Sequence, residues 1–282
     1  MLTAALGTFA ALVFGAADFL GGLSSRRSHP VLVTAIVAAT GLGVLLLFLP
    51  FVPGRWSPEA VFWGGLSGVT GCVAIALLYT CLAIGPMSIL SPLTAVISAL
   101  VPLGFGLARG EQLGTLGFVG LGLALVAVVL VGFVPELGAV RPTLPGVLMA
   151  IGSGAMIGAF LVLIDLAPDD SGLVPLLMNR GVNALIMLVV MGFLGVRFRG
   201  TGRRLGTGGV RLAMFGGVVD AVANSLLLLG VRIGDLSVIG VLTALYPAGT
   251  ILLAATLLKE RIAPVQWVGL AVGLMATALL AV

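Results

Sequence analysis

Two stretches of the sequence decide the fold. Residues 84–111 read IGPMSILSPLTAVISALVPLGFGLARGE, and residues 233–260 read IGDLSVIGVLTALYPAGTILLAATLLKE. Shifting the chain by 149 residues places one stretch on the other without a gap. Three pairs of polar residues coincide in this register: Ser88 with Ser237, Thr94 with Thr243, and Glu111 with Glu260. Because Leu and Ala matches are weak evidence in an apolar sequence, these polar matches carry the conclusion that the chain contains an internal repeat.

The composition places this repeat in a membrane. Hydrophobic residues make up 60% of the 282 residues and charged residues only 9%, whereas soluble domains carry about 25% charged residues. So few charges cannot cover the surface of a soluble protein of this size. The composition therefore excludes a cytosolic enzyme, a nucleic-acid-binding protein and a disordered chain, and it predicts an integral membrane protein built of helices.

The chain divides into ten apolar segments, each long enough to cross a bilayer of about 30 Å as a helix. The segments are 2–22, 31–52, 60–84, 88–107, 113–134, 145–166, 173–196, 210–230, 236–258 and 263–282. We therefore predict an all-α membrane protein with two five-helix repeats, residues 1–135 and 145–282, around a central cavity. Since five is odd, the second repeat is inverted relative to the first, as in many transporters that work by alternating access.

The same residues resemble a known family. The stretch from Ala244–Pro247 through Leu258–Arg261 is similar to the pattern of the drug/metabolite transporter superfamily, EamA type, in which a proline, a dozen apolar residues and Glu-Arg follow one another. Leu77–Ala83 before a glycine-containing turn is similar to the same family. The resemblance covers nearly the whole chain. It implies ten transmembrane helices in two repeats, and a multi-pass transporter of small metabolites in the cell membrane of a prokaryote. It does not indicate a substrate, because the family carries amino acids, drugs, nucleotide sugars and other metabolites.

Asp220 is the strongest candidate for a functional side chain. It lies near the middle of the eighth segment, where a charge costs about 2.5–3.5 kcal/mol on insertion scales. Asn224 follows one helical turn later, so both side chains point the same way. The pair either lines a substrate or proton site in the central cavity or forms a structural hydrogen bond that holds helices together.

Arg180 is the only basic residue well inside a predicted helix. It lies in the seventh segment between Asn179 and Asn183. A functional arginine in this place could hold a carboxylate or a phosphate through two hydrogen bonds. The alternative is an internal ion pair, for which Asp165 and Asp220 are the candidate partners.

Three further polar residues are candidates for the cavity. Asp18, near the end of the first segment, serves either as a gate or proton relay or as an interfacial charge close to Arg26 and Arg27. Tyr79 and Tyr246, the only tyrosines, either line the cavity with their polar tips or pack in the core.

The remaining polar and small residues have simpler interpretations. Glu111 and Glu260 end equivalent helices, and each is expected to form an ion pair with a neighbouring arginine at the membrane boundary. Stripes of small residues, such as Gly7-Ala11-Gly15 and Gly146-Ala150-Gly154-Gly158, predict close helix packing. The only histidine, His29, has no second ligand near it in the sequence, so we expect no metal and no cofactor.

These observations favour a secondary transporter over other membrane proteins. The alternatives are an intramembrane enzyme and a channel, but the sequence has no HExxH motif, no paired aspartyl motif and no filter-like loop. One arginine and one or two acids suit a zwitterion such as an amino acid, with export as the direction and protonation of an acid as a coupling step. The expected partners are the substrate, the lipid bilayer and a coupling proton, without nucleic acid, and the chain is expected to be a monomer or a homodimer.

Basic residues are distributed unevenly among the nine predicted connections. The odd-numbered connections hold Arg26, Arg27, Arg141, Arg197, Arg199, Arg203, Arg204, Arg211, Lys259 and Arg261. The even-numbered connections hold Arg55, Arg109 and Arg232. Because basic residues in short connections stay in the cytoplasm, this distribution places both termini outside. The family resemblance implies that both termini are in the cytoplasm, so the two arguments disagree.

Overall fold

The computed structural model describes residues 1–25, 30–52, 54–84, 87–132, 142–193, 207–259 and 261–281. Within these ranges the protein is helical and contains no strand. The helices in chain order are α1 (Leu2–Ser25), α2 (Pro30–Phe48), α3 (Pro58–Ile84), α4 (Met87–Ala108), α5 (Thr115–Gly132), α6 (Leu144–Asp165), α7 (Val174–Phe193), α8 (Thr207–Ile233), α9 (Leu236–Thr243), α10 (Tyr246–Leu257) and α11 (Pro264–Leu280). A short 3-10 turn, Asp169–Ser171, separates α6 from α7.

Eight of the described helical segments are long and apolar enough to cross a membrane, judged by length and composition. Two shorter apolar helices, Leu93–Ala108 and Pro264–Leu280, correspond to the fourth and tenth predicted segments. Large apolar side chains face outward along these helices, and Leu47, Leu185 and Leu274 are examples. The protein is therefore an all-helical, multi-pass membrane protein, and a total of ten spans remains a prediction.

The ninth predicted segment, 236–258, is not one continuous helix. It consists of α9 and α10, which are separated by a turn at Ala244 and Leu245. Pro247 is the cause, because it has no N–H to donate to the carbonyl of Thr243 and its ring crowds that carbonyl. The predicted segment is one apolar span, Leu236–Leu257, but its helix is broken, since apolar length alone does not account for a proline in the middle of a segment.

The main helix contacts join the first half of the chain to the second. Helix α1 packs along α8, α9 and α10, and α6 packs along α3 and α4. Helix α2 contacts α7 and α8, and α3 also contacts α7. Helices α5 and α11 form an extensive pair that packs with α1, α4 and α9 in one apolar core. The two halves thus share one interior instead of folding as separate bodies.

Small residues allow these helices to approach closely, as the stripes in the sequence predict. A Cβ atom at Gly15 in α1 would lie 2.7 Å from the Cα of Gly249 in α10, and Thr250 Oγ1 donates a hydrogen bond of 3.0 Å to the Gly15 carbonyl. On α6, a Cβ atom at Gly154 would lie 2.7 Å from the Ile97 side chain of α4. The interpretation of these stripes as packing surfaces is therefore confirmed.

Candidate functional site

Arg180 and Asp220 form an ion pair in the interior of the protein. The Arg180 Nη2 atom of α7 lies 2.5 Å from the Asp220 Oδ2 atom of α8, and the two side chains are only 12% and 16% exposed. Removing either charge from water is costly, and pairing the charges reduces that cost. The structure thus selects Asp220 over Asp165 as the partner of Arg180.

Asn224 completes this arrangement on α8. Its Nδ2 atom donates to the Asp220 Oδ1 atom at 3.2 Å and to the Asp220 carbonyl at 2.8 Å. The one-turn spacing predicted from the sequence therefore brings the two side chains together. The Nε atom of Arg180 is buried and has no hydrogen-bond partner among the described residues. Its N–H group is the unused donor of the site.

Asn183 belongs to a chain of buried polar groups between α3 and α7. Cys72 Sγ donates to Asn183 Oδ1 at 2.7 Å, and Asn183 Nδ2 donates to Asn179 Oδ1 at 3.3 Å. Asn179 Nδ2 then donates to Ser67 Oγ at 2.9 Å. Because each of these side chains is buried, their mutual bonds hold α7 against α3 and fix the helix that carries Arg180. Asn183 is thus bonded to protein groups and has a positioning role in this structure.

Asp18 lies where the interior of the protein becomes accessible. It is on the same face of α1 as Gly15, which is buried against α10, and as Gly22 one turn further on. Both Asp18 and Gly22 are exposed, and we call this part of the α1 surface the vestibule. Asp18 lies near Asp220 and Tyr246. Arg26 and Arg27, its expected interfacial neighbours, lie outside the described residues.

The structure describes the side chain of only one of the two tyrosines. Tyr246 begins α10 at the helix break, is partly buried, and lies near Asp18. The backbone of Tyr79 is part of α3, and its side chain lies outside the described residues. His29 also lies outside them. No group of three or more potential metal ligands occurs in the parts of the chain that the structure describes.

Four connections lie at the opposite end of the molecule from the vestibule. These are the α2–α3, α4–α5, α6–α7 and α8–α9 connections, and we call this end the even-loop face. Arg109 Nη1 lies 2.8 Å from Asp165 Oδ2. Arg55 Nη1 lies 3.7 Å from Asp170 Oδ2. Asp165 is therefore a boundary residue and not part of the interior site.

Glu111 does not form the boundary ion pair with Arg109 that the sequence suggested. Its two carboxylate oxygens accept hydrogen bonds from the backbone N–H groups of Leu236 and Ser237, at 2.9 and 3.1 Å. These N–H groups are unsatisfied within α9 because they belong to its first turn. Partial burial raises the pKa of Asp235, and the nearby negative charge of Glu111 raises it further. A helix N-terminus attracts a carboxylate, so a carboxylate at the start of α9 could be expected from the sequence. The sequence did not show that Glu111 is that carboxylate. Glu260 lies outside the described residues.

Comparison with known proteins agrees with this architecture. Residues 144–282 match the EamA-like transporter family. Twenty-nine chains of solved structures are similar to this chain. One of them, a crystal structure, is 18% identical, has a TM-score of 0.78, and the alignment covers 99% of this chain and 98% of that one. This likeness shows a shared fold. No curated protein shows a significant match.

Fold and family together define a multi-pass, all-α membrane protein of the transporter class. The second half of the chain matches the EamA-like transporter family, which supports membership of the drug/metabolite transporter superfamily. The resemblance drawn from the sequence is thereby confirmed.

Proposed function

We propose that the protein is a secondary transporter of small metabolites that works by alternating access between two inverted five-helix repeats, residues 1–135 and 145–282. The observation that carries the proposal is the Arg180–Asp220 pair, which keeps two charges inside the membrane. Charged side chains in such places are expected to mark substrate or ion pathways, because burying them in a membrane is costly. The proposal locates the protein in the cell membrane of a prokaryote.

The pattern of helix contacts supports the inverted repeat. If α9 and α10 count as one segment, each helix of the first half has a counterpart five segments later. The α1–α8 contact then corresponds to the α6–α3 contact, and the α2–α8 contact corresponds to the α7–α3 contact. Helices α5 and α11 are counterparts of each other, so exchanging the two repeats leaves their contact unchanged. Such exchange is expected of two repeats related by a two-fold axis, and that axis lies in the membrane plane when each repeat has five spans.

The charges around the vestibule support a zwitterionic substrate. Asp18 offers a carboxylate to an amino group. The Arg180 Nε atom, which is buried and has no hydrogen-bond partner among the described residues, offers a donor to a carboxylate that reaches the interior. An amino acid or a related solute carries both groups. Protonation of Asp18 or Asp220 would provide a coupling step, and export is the proposed direction. The functional partners in this scheme are the solute, the bilayer and the proton, without nucleic acid, and the transporter acts as a monomer or a homodimer.

A screen of the purified protein against metabolite classes would identify the substrate. A solute that binds the folded state stabilises it and so raises the melting temperature. At a hundredfold excess over Kd, the gain in the free energy of unfolding is about 2.7 kcal/mol. The solute is then loaded into vesicles that contain the protein, and counterflow of the labelled solute is measured. Saturable counterflow supports a carrier, whereas linear flux without counterflow would contradict it and favour a channel.

Asp220→Asn tests whether the ion pair takes part in transport. We expect this variant to insert and fold but to lose most of its counterflow, because it removes the charge that Arg180 faces. Asp169→Asn is the matched control, since Asp169 is an exposed acid in the α6–α7 connection. Normal counterflow by Asp220→Asn would limit the pair to a structural role.

A further inference from the structure

Three contacts close the even-loop face between the two halves of the chain. Arg109 pairs with Asp165, and Arg55 pairs with Asp170. The Arg55 backbone N–H also donates to the Asp170 carbonyl at 2.8 Å. The third contact is the carboxylate of Glu111 on the first turn of α9. Each contact joins a residue of the first half to a residue of the second.

The Glu111 contact is the most buried of the three. Ser237 is fully buried beneath it, and the Ser237 Oγ atom donates to the Leu103 carbonyl of α4 at 3.2 Å. Asp235, the N-cap residue of α9, makes no capping hydrogen bond with its own side chain. Glu111 therefore supplies the acceptors that the start of α9 needs. Gly106 leaves just enough space for this carboxylate, because a Cβ atom there would overlap it.

At the opposite end of the molecule, described residues on the interior face of α1 are exposed. Asp18 and Gly22 are exposed on the interior face of α1, and a Cβ atom at Gly22 would meet nothing within 4 Å. One end of the shared interior is thus tied across the halves, while the described residues of the other end leave the interior accessible. An alternating-access protein that is open to one side has this asymmetry.

The geometry points to Glu111 as the residue that holds a gate closed at the even-loop face; we call this role the latch. The structure then represents the state that is closed at this face and open at the vestibule. This inference rests on the proposed alternating-access function. Conversion to the opposite state moves α9 away from the α4–α5 connection and breaks the two hydrogen bonds of Glu111. Glu111 is therefore a positioning residue, because it controls access to the interior without contacting the substrate.

Two reporter cysteines test the latch in a background that carries Cys72→Ser and Cys81→Ser. Ser237→Cys reports on the even-loop face, since it keeps the backbone N–H groups that Glu111 binds. Gly22→Cys reports on the vestibule, where a side chain fits without a clash. Each reporter is placed separately in purified protein in lipid nanodiscs, so that both faces meet the reagent. Its reaction rate with a charged thiol reagent is then measured with and without Glu111→Ala.

We expect Glu111→Ala to change the two rates in opposite directions. Labelling of the Ser237 reporter should rise at least about tenfold, which corresponds to about 1.4 kcal/mol, and labelling of the Gly22 reporter should fall. Glu59→Ala, which removes an exposed acid at the start of α3 on the same face, should change neither rate. A rise at Ser237 without a fall at Gly22 would mean that only the end of α9 frays, and unchanged rates at both sites would also overturn the proposal. Because the assay needs no substrate, a failure to find transport does not affect its outcome.

Discussion

The Arg180 guanidinium and the Asp220 carboxylate lie 2.5 Å apart and neutralise each other between α7 and α8. Each of these side chains is also surrounded by neighbours that fix it. Asn224 bonds Asp220, and the polar chain between α3 and α7 positions the helix of Arg180. The pair is consequently both a structural contact and the main concentration of charge in the described interior.

The first prediction concerns the stability of this pair. Arg180→Ala should lower the free energy of unfolding by about 3–5 kcal/mol, because it leaves Asp220 buried without its partner. Arg55→Ala is the control and should cost only about 0–1 kcal/mol, since the side chains of Arg55 and its partner Asp170 are 78% and 58% exposed. Unfolding in detergent micelles, followed by circular dichroism, gives both values.

The same pair can be examined by a double-mutant cycle. The loss in the Arg180→Ala/Asp220→Ala double variant should be smaller than the sum of the two single losses, because the second change removes a charge that is already unpaired. Full additivity within about 0.5 kcal/mol would show that the two side chains are not coupled.

The second prediction concerns the contact between α1 and α10. Gly15→Val should destabilise the fold by more than about 1–3 kcal/mol, since its Cβ atom would overlap the backbone of α10. Gly21→Val places the same side chain in α1 where a Cβ atom has open space, so it should cost little or nothing, because valine is a better helix former than glycine. The melting temperatures of the two variants are compared, and that of Gly15→Val should be lower. Equal values would contradict close α1–α10 packing.

The third prediction is a pH dependence at the even-loop face. The raised pKa of Asp235 means that folding favours its protonated form, so the charged form opposes folding once the pH exceeds the unfolded pKa of about 3.9. Asp235→Asn should therefore raise the melting temperature at pH 7, where the negative charge of Glu111 is also present, and the gain should vanish as the pH falls below that value. A gain that does not change with pH would mean that charge is not its cause.

The fourth prediction concerns orientation. The basic residues place the odd-numbered connections in the cytoplasm, so the even-loop face should be extracellular. Val52, exposed in the α2–α3 connection, is a suitable site for a single cysteine in a background without Cys72 and Cys81. We expect an impermeant thiol reagent to label this cysteine in intact cells. Labelling of a cysteine in the 197–209 connection instead would reverse the orientation and agree with the family expectation.

The sequence predicted the apolar helices and the contact of Asp220 with Asn224 because both depend on local chemistry. A long apolar segment must be buried in a membrane, and a charge in its middle, as at Asp220, must have a function or a partner. The i+4 spacing of Asn224 was sufficient to predict its contact with Asp220. These inferences need only the geometry of one helix.

The partners across helices could not be predicted in this way. Asp165 and Asp220 were equally plausible for Arg180, and only the packing of α7 on α8 distinguishes them. The assignment of Glu111 failed for the same reason, since Arg109 is its neighbour in sequence but the free N–H groups of α9 are its neighbours in space. Contacts between residues more than a hundred positions apart depend on the arrangement of all helices.

The turn between α9 and α10 divides one membrane segment into two pieces with different attachments. Helix α9 is fastened to the first half through Glu111 and Leu103, whereas α10 is fastened to α1 where Thr250 bonds the Gly15 carbonyl. Pro247 removes one helical hydrogen bond at the junction, so the backbone there is held by fewer bonds than in a continuous helix. If α9 moves at the even-loop face, as the proposed gate requires, the segment would bend at this junction while α10 stays bonded to α1 through Thr250.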